Sequence, residues 1–232
     1  MDSQTSTNWP IGYRINPRVE TVSGDWVNRF RQTPVAFVSD SMGRSVGTMG
    51  LRAYHGDLDL IAVGRAFTVR VRPGDNLMIH KALMLVQPGD MLVIDSGGDL
   101  TQALIGGNII ATSIFRKISG FVIDGAVRDV AEIAVMGMPV WARGHTHRGP
   151  SKDGPGEINV PVTVGGLAVN PGDLILADAD GVVAIAPGDL NTLWPRVEDQ
   201  TRKEVQLRKT AQEGTADPER FNSILRAKGC PV

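Results

Sequence analysis

The chain has a single cysteine, Cys230, two residues from its end. One thiol cannot close an intrachain disulfide, so no disulfide framework holds this fold, and the composition suits a reducing compartment. An excess of one charge is also lacking: 24 Lys and Arg stand against 25 Asp and Glu. That balance removes the electrostatic basis for a nucleic-acid or membrane-surface partner. Nowhere do about 18 consecutive apolar residues occur, the length that a membrane-spanning helix needs. The opening residues, Met1-Asp2-Ser3-Gln4-Thr5-Ser6, contain neither the basic nor the apolar region of a leader, so the expected compartment is the cytoplasm. What is present is 232 residues, 42% of them hydrophobic, enough to bury a sizeable core. The expected organisation is one domain over 1–232, with an N-terminal arm over about 1–23 and a C-terminal helical arm over about 190–232.

Periodicity places the elements. Leu60 to Val71 is rich in β-branched residues and alternates in its second half, as a half-buried strand does. Pro73-Gly74-Asp75 then turns the chain into a helix over 76–86, with Asp75 as its cap, and Pro88-Gly89-Asp90 leads into a strand from Met91 to Ile94. The same tripeptide at 171–173 and 187–189 is irregularly spaced and marks turns rather than a repeat. Ile110, Ile114 and Ile118, with Phe115 alongside, give one apolar face to a helix that Gly120 can end. Phe121 to Ile123 reads as a short buried strand, Asp124-Gly125 as a turn, and Val127 to Met136 as a second helix ended by Gly137. A strand begins at Pro139, and the Gly- and Pro-rich stretch from Arg143 to Glu157 reads as a long surface loop. Val160 to Val164, Leu174 to Ala177 and Val182 to Ile185 are strand-like, with a hairpin signal at Asp180-Gly181. From Leu190 the chain is helical and charged, with Pro195 expected to kink or restart it. This alternation predicts a mixed α/β fold, in which ligands bind where strands end and helices begin.

Two motifs lie at such places. Gly106-Gly107-Asn108-Ile109 opens the first helix of the central pair. Paired glycines there either make a plain tight turn or let backbone amides approach an anion such as a small carboxylate. Arg128-Asp129, followed by Glu132, opens the second helix. Asp129 and Glu132 fit a capping arrangement. They equally fit a hard cation such as Mg²⁺, which takes one or two carboxylates and fills its shell with water and substrate oxygens. In that case Asp129 binds directly and Glu132 through a water. His145 and His147 form a His-x-His pair without a Cys or third His nearby, so they suit substrate-edge or solvated roles better than zinc. His55 and His80 stand alone. Ser41 and Ser45 lack a Gly-x-Ser-x-Gly context, and of the six lysines only Lys81 lies in an apolar helical stretch, so neither a triad nor a Schiff base is indicated.

The run Gly106-Gly107-Asn108-Ile109, Val122-Ile123-Asp124-Gly125, Arg128-Asp129 and Glu132 resembles the signature of RraA-like proteins: a glycine, twenty residues, Arg-Asp, two residues and an acid. The likeness extends from Val38-Ser39-Asp40-Ser41-Met42-Gly43-Arg44 to Ala177-Asp178-Ala179-Asp180-Gly181-Val182. The resemblance implies a layered ββα sandwich, similar to the swivelling phosphohistidine domain, assembled as a homotrimer or a multiple of one. It implies a metal-dependent lyase acting on 2-oxo acids, of the 4-hydroxy-4-methyl-2-oxoglutarate/4-carboxy-4-hydroxy-2-oxoadipate aldolase type with oxaloacetate decarboxylase activity. In that reading Gly106, Gly107, Asn108 and Ile109 hold the substrate with Arg128, which is also the catalytic group, and Asp129 holds Mg²⁺ or Mn²⁺. The characterised aldolases resemble a variant of the signature with an acid where this chain has Gly107. That departure weighs against aldol cleavage and leaves decarboxylation as the more robust expectation. The family's namesake, an inhibitor of ribonuclease E, implies the alternative of a non-catalytic protein-binding regulator.

Overall fold

The computed structural model describes residues 9–19 and 22–232; of the expected N-terminal arm over 1–23, residues 1–8 and 20–21 lie outside the described residues. In chain order the elements are β1 (Tyr13–Ile15), α1 (Gly24–Phe30), α2 (Val35–Ser41), β2 (Arg52–Ala53), β3 (Ala62–Val71) and α3 (Leu77–Leu85). They continue with β4 (Asp90–Asp95), β5 (Ala103–Ile105), α4 (Gly107–Arg116), β6 (Gly120–Val127), α5 (Val130–Met136) and β7 (Val140–His145). The last part adds β8 (Gly156–Ile158), β9 (Val162–Val164), β10 (Leu167–Val169), β11 (Leu174–Asp178), β12 (Gly181–Ile185), α6 (Leu190–Gln212) and α7 (Glu219–Ala227).

The main sheet follows the order β1-β8-β3-β4-β6-β7-β2, with β5 added to β6 and β11–β12 added to β3. Its centre, β3-β4-β6-β7, is parallel. Parallel strands are covered on both faces and therefore read as continuous apolar runs; all eight residues of β6 are buried. Helices α3, α4 and α5 cover one face through Ile79, Ile110 and Ile133 against Leu92 and Phe121. The opposite face, with Val93, Val122 and Trp141, packs against Val164 of the β9–β10 hairpin and Val182 of β12. The layers are thus β, β and α, a mixed α/β architecture. A third core joins Phe30 of α1 and Leu193 of α6 to Leu176 and Ile185 of the β11–β12 hairpin. Among the described residues no helix is long and apolar enough to cross a membrane.

Several sequence expectations are corrected by packing. Asp124-Gly125 is not a turn: β6 runs through it, with a register shift against β7 between Ile123 and Ala126. Asp124 is held by Arg143 Nε and by the Gly165 N–H, 3.0 Å away, so tertiary partners override its turn propensity. Helix α4 ends at Lys117 in the left-handed region (φ 58°) rather than at Gly120. Ile118 follows the helix and is buried, whereas Ile114 and Phe115 are 43% and 84% exposed, so the apolar stripe is narrower than its spacing suggested. Helix α5 begins at Val130 rather than at Val127, which closes β6, and ends at Gly137 as expected. Helix α6 continues through Pro195, which lies near its N-terminus and removes one backbone hydrogen bond there without interrupting it.

The expected loop over 143–157 is shorter, because β7 reaches His145 and β8 starts at Gly156, and it is firmly tied. Asp75, fully buried, accepts hydrogen bonds from Ser151 Oγ (2.6 Å), Asp153 N (2.7 Å) and Leu77 N (2.9 Å). Ser151 N donates to Gly74 O at 2.9 Å, and Asn76 N donates to Ser151 O at 3.0 Å. Burial alone would raise the Asp75 pKa; the donors of Ser151, Asp153, Leu77 and Gly154 outweigh it and hold the carboxyl below its usual range. A depressed carboxyl stabilises the fold fully above its unfolded pKa, and that contribution is lost as pH falls through the folded value. Asp75→Ala should therefore lower stability by about 1–3 kcal/mol at neutral pH, since it leaves buried donors unpaired. In urea melts the gap to wild type should shrink as pH drops below the ordinary carboxylate range. Equal midpoints at pH 7 would show that Asp75 does not anchor the loop.

Candidate active site

The parallel register brings three strand ends together. Ile105 pairs with Val127 and Val127 with His145, so the residues that follow, Gly106, Arg128 and Thr146, form three adjacent corners at one sheet edge. Arg128 N donates to Ile105 O and Thr146 N to Val127 O, both at 3.0 Å. The edge lies at the carboxyl ends of parallel strands, where open α/β sheets bind ligands.

Asp129 stands at the N-cap position of α5 but does not cap it: its backbone is left-handed (φ 58°) and its side chain makes no capping hydrogen bond. The main-chain oxygen alone serves the first turn, accepting from Glu132 N and Ile133 N at 3.0 Å. The carboxylate instead accepts the Gly107 N–H at 3.0 Å, across the gap between corners. It therefore lies at the positive end of α4, which favours its charge. The capping arrangement between Asp129 and Glu132 is thus overturned. Arg128 Nε lies 3.6 Å from Asp129 Oδ2, and both side chains are about 41% exposed.

The paired glycines are required by space. A Cβ on Gly106 would lie 2.3 Å from Asp129 Oδ2 and 2.9 Å from Arg128 Cγ, and one on Gly107 would lie 2.3 Å from Glu132 Oε2. Both carboxylates thus converge on two positions without side chains. The Glu132 carboxylate fills the volume that an acid at position 107 would need. Of the amides expected to face a ligand, Gly107 N–H is taken by Asp129 and Ile109 N–H donates to Gly106 O at 3.0 Å. Asn108 N–H remains as a first-turn amide without an intrahelical acceptor.

Arg128 separates two depressions. On one side a cavity of about 180 Å³ is lined by Asn76, His80, Gly106, Asn108, Arg128 and Lys152. Burial, followed by the nearby Lys152 charge, holds His80 below the ordinary imidazole range. On the other side a depression of about 290 Å³ is lined by Arg128, Asp129, Val130, His145, Thr146 and His147. Both sequence motifs are therefore brought together, and His145 and His147 join them at the edge. Sequence reasoning missed Lys152 and Asn76 and left His80 isolated. Nothing in their local spacing marks them, because long-range ties from Gly74, Asp75, Asn76 and Gln102 set how loop 146–155 lies against α3.

Fold and corners together describe a mixed α/β protein with a glycine corner, two carboxylates and a guanidinium gathered at the carboxyl edge of a parallel sheet. The chain belongs to the RraA-like (Aldolase/RraA) family, whose profile matches residues 35–184. It is 39% identical over 164 residues to a Halalkalibacterium halodurans protein provisionally named a 4-hydroxy-4-methyl-2-oxoglutarate aldolase, covering 71% of this chain and 78% of that one. A Thermus thermophilus 4-hydroxy-4-methyl-2-oxoglutarate aldolase is 38% identical over 122 residues, covering 53% and 74%. Among solved structures, a Streptomyces coelicolor member of the RNase ES inhibitor RraA family superposes with TM-score 0.74 at 27% identity, covering 82% of this chain and 98% of the other.

Because Asp129 caps nothing in its own helix, Asp129→Asn should leave stability within about 0.5 kcal/mol of wild type: Asn tolerates the left-handed region and still accepts the Gly107 N–H. Asp129→Ala should cost about 1–2 kcal/mol in that backbone conformation. Thermal melts of the two variants check this, and a strongly destabilised Asn variant would contradict the geometry described.

Proposed function

We propose that this chain is a divalent-metal-dependent carbon–carbon lyase that acts on 2-oxo acids through a pyruvate enolate. The reaction is oxaloacetate decarboxylation, retro-aldol cleavage of 4-hydroxy-4-methyl-2-oxoglutarate-type substrates, or both. The observation that carries this reading is the convergence of the Asp129 and Glu132 carboxylates and Arg128 on the side-chain-free corner Gly106-Gly107. The names of the aldolase relatives support it.

The donor set fits a hard cation. Asp129 and Glu132 offer only oxygens, and among the described residues no group of three or more His, Cys, Asp or Glu could hold a metal ion. Mg²⁺ or Mn²⁺ is satisfied by one or two carboxylates with water completing its shell. Asp129 would hold it directly and Glu132 through a water; when bound, the ion supplies Lewis-acid polarisation of the 2-oxo acid.

This chain's own residues do the rest. The Asn108 amide, Lys152 and Arg128 receive the substrate carboxylate in the cavity they line. Arg128 donates to the 2-oxygen, and that bond strengthens as negative charge develops there in the transition state. Decarboxylation needs no base, because departing CO₂ leaves its electrons on the pyruvate unit. Retro-aldol cleavage needs an acceptor for the hydroxyl proton. Glu132 supplies a carboxylate in the volume beside Gly107, so the absence of an acid at position 107 does not leave the corner without one.

A second reading, a non-catalytic regulator of RNA processing, rests on the named inhibitors among the structural neighbours. Turnover separates the two. Activity on oxaloacetate or hydroxy-oxo acids should vanish with EDTA and return with Mg²⁺ or Mn²⁺. Asp129→Asn and Arg128→Lys should each reduce kcat/KM by at least about 10²-fold, comparable to loss of one preorganised oxyanion donor. Full activity after exhaustive chelation, or near-wild-type turnover of folded Asp129→Asn, removes the metal mechanism.

We also propose a homotrimer in which the C-terminal arm makes contacts. In the isolated chain α7 buries no residue, while Phe221, Ile224 and Leu225 share one exposed apolar face. Light scattering should give a multiple of the 24.9 kDa chain, and a monomer at micromolar concentration would refute the assembly.

A further inference from the structure

The depression beside Asp129 holds an imidazole that the chemistry above leaves unused. His145 closes β7 directly beside Val127, the residue before Arg128. Its ring is exposed, yet Nδ1 is engaged: Arg52 Nη2 lies 3.3 Å from it and the Tyr54 hydroxyl 3.2 Å. Arg52 Nε also donates to the Tyr54 oxygen at 2.9 Å, and the guanidinium stacks over the Tyr54 ring, 5.2 Å from its centroid. Tyr54 itself is buried and so ties this relay to the core.

The direction of every proton follows from the donor inventory. A guanidinium only donates, so both the Tyr54 oxygen and His145 Nδ1 accept from Arg52. With its oxygen already accepting, the Tyr54 hydroxyl turns its own proton toward Nδ1. A proton on Nδ1 would break the bond from Arg52 and face a cation. The ring proton of His145 is therefore placed on Nε2, the edge opposite Arg52 and Tyr54. In this tautomer the remaining edge offers a donor and no lone pair. In this form it cannot take a hydroxyl proton.

Arg128 divides the site, with Asn108 and Lys152 on the side that would take the 2-oxo acid head and His145 on the other. We propose that His145 is a specificity-determining residue whose Nε2–H binds the distal carboxylate of a dicarboxylic 2-oxo acid. Arg52 and Tyr54 are positioning residues that hold the ring in the donating tautomer. This assignment rests on the 2-oxo acid reading of the site and goes beyond it by naming the group that selects diacids over monoacids.

The test uses the full-length, Mg²⁺-loaded protein and two probes with the same head, pyruvate and 2-oxoglutarate, titrated by calorimetry. Wild type should bind 2-oxoglutarate more tightly than pyruvate. His145→Ala should remove about tenfold of that preference, the worth of one hydrogen bond to a charged group, while pyruvate affinity stays within about twofold. His145→Gln, which keeps a donor, should restore part of it. Long-range ¹H–¹⁵N correlation on the ligand-free protein should show His145 protonated at Nε2 and bare at Nδ1, and Tyr54→Phe should loosen that preference. If pyruvate binds but the preference survives His145→Ala, or if the proton resides on Nδ1, the His145 assignment fails alone. If wild type binds neither probe, the 2-oxo acid reading fails and takes this assignment with it.

Discussion

The hydrogen bond from Gly107 N–H to the Asp129 carboxylate joins two strand-to-helix corners that would otherwise be independent. An aspartate preceding a helix ordinarily serves that helix. Here the left-handed backbone of Asp129 turns its side chain away from α5 and delivers it to the first turn of α4. The exchange leaves α5 without a side-chain cap and holds a non-glycine residue at positive φ, a local strain of the kind that accumulates at functional corners. In return a carboxylate sits at the positive end of a helix, beside a guanidinium and one helical turn from a second carboxylate. The close approach is possible only because positions 106 and 107 carry no side chain.

Around this junction the protein divides its charges by side. The cationic and amide groups that suit a carboxylate line one cavity, and Asp129 with His145 and His147 lines the other depression, with Arg128 as the shared wall. The division depends on Asp75, remote in sequence from the corners, because its buried carboxylate draws residues 151–153 onto the start of α3. Without that tether Lys152 would be one more solvated lysine on a loop. The Arg52–Tyr54 relay performs a comparable service on the opposite side, orienting an exposed ring from a buried support. Both walls of the site thus take their geometry from long-range polar contacts anchored on a buried side chain, Asp75 on one side and Tyr54 on the other.

Much of this was legible in the chain itself. Apolar runs bounded by Gly and Pro marked the parallel strands, since strands covered on both faces are mostly apolar, although β3, read as half-buried, has eight of its ten residues buried. Gly137 marked the end of α5 and Asp180-Gly181 the β11–β12 hairpin, whose turn falls one residue earlier, at Ala179-Asp180, because left-handed backbone and tight turns admit few residue types. The glycine pair and the Arg-Asp-x-x-Glu cluster were visible as motifs, and their convergence was implied by family resemblance. What spacing alone could not do was separate a helix cap from an intercorner ligand: both place an acid ahead of the same helix, and the difference lies in the backbone conformation of Asp129.

Sequence by itself therefore determined the local chemistry of this protein: which segments could be buried, where the backbone could turn, and which side chains stand at the ends of strands. Tertiary structure alone decided what those side chains face. Asp124-Gly125 became buried strand because Arg143 and Gly165 supply its partners, Asp129 left its own helix for the neighbouring one, and Lys152 and His145 reached the two sides of Arg128. The physical reason is that propensity and periodicity act over a few residues along the chain. The orientation of a polar group is settled instead by donors and acceptors that folding brings from far along the chain, as the pairs Gly107–Asp129 and Tyr54–His145, 22 and 91 positions apart, illustrate.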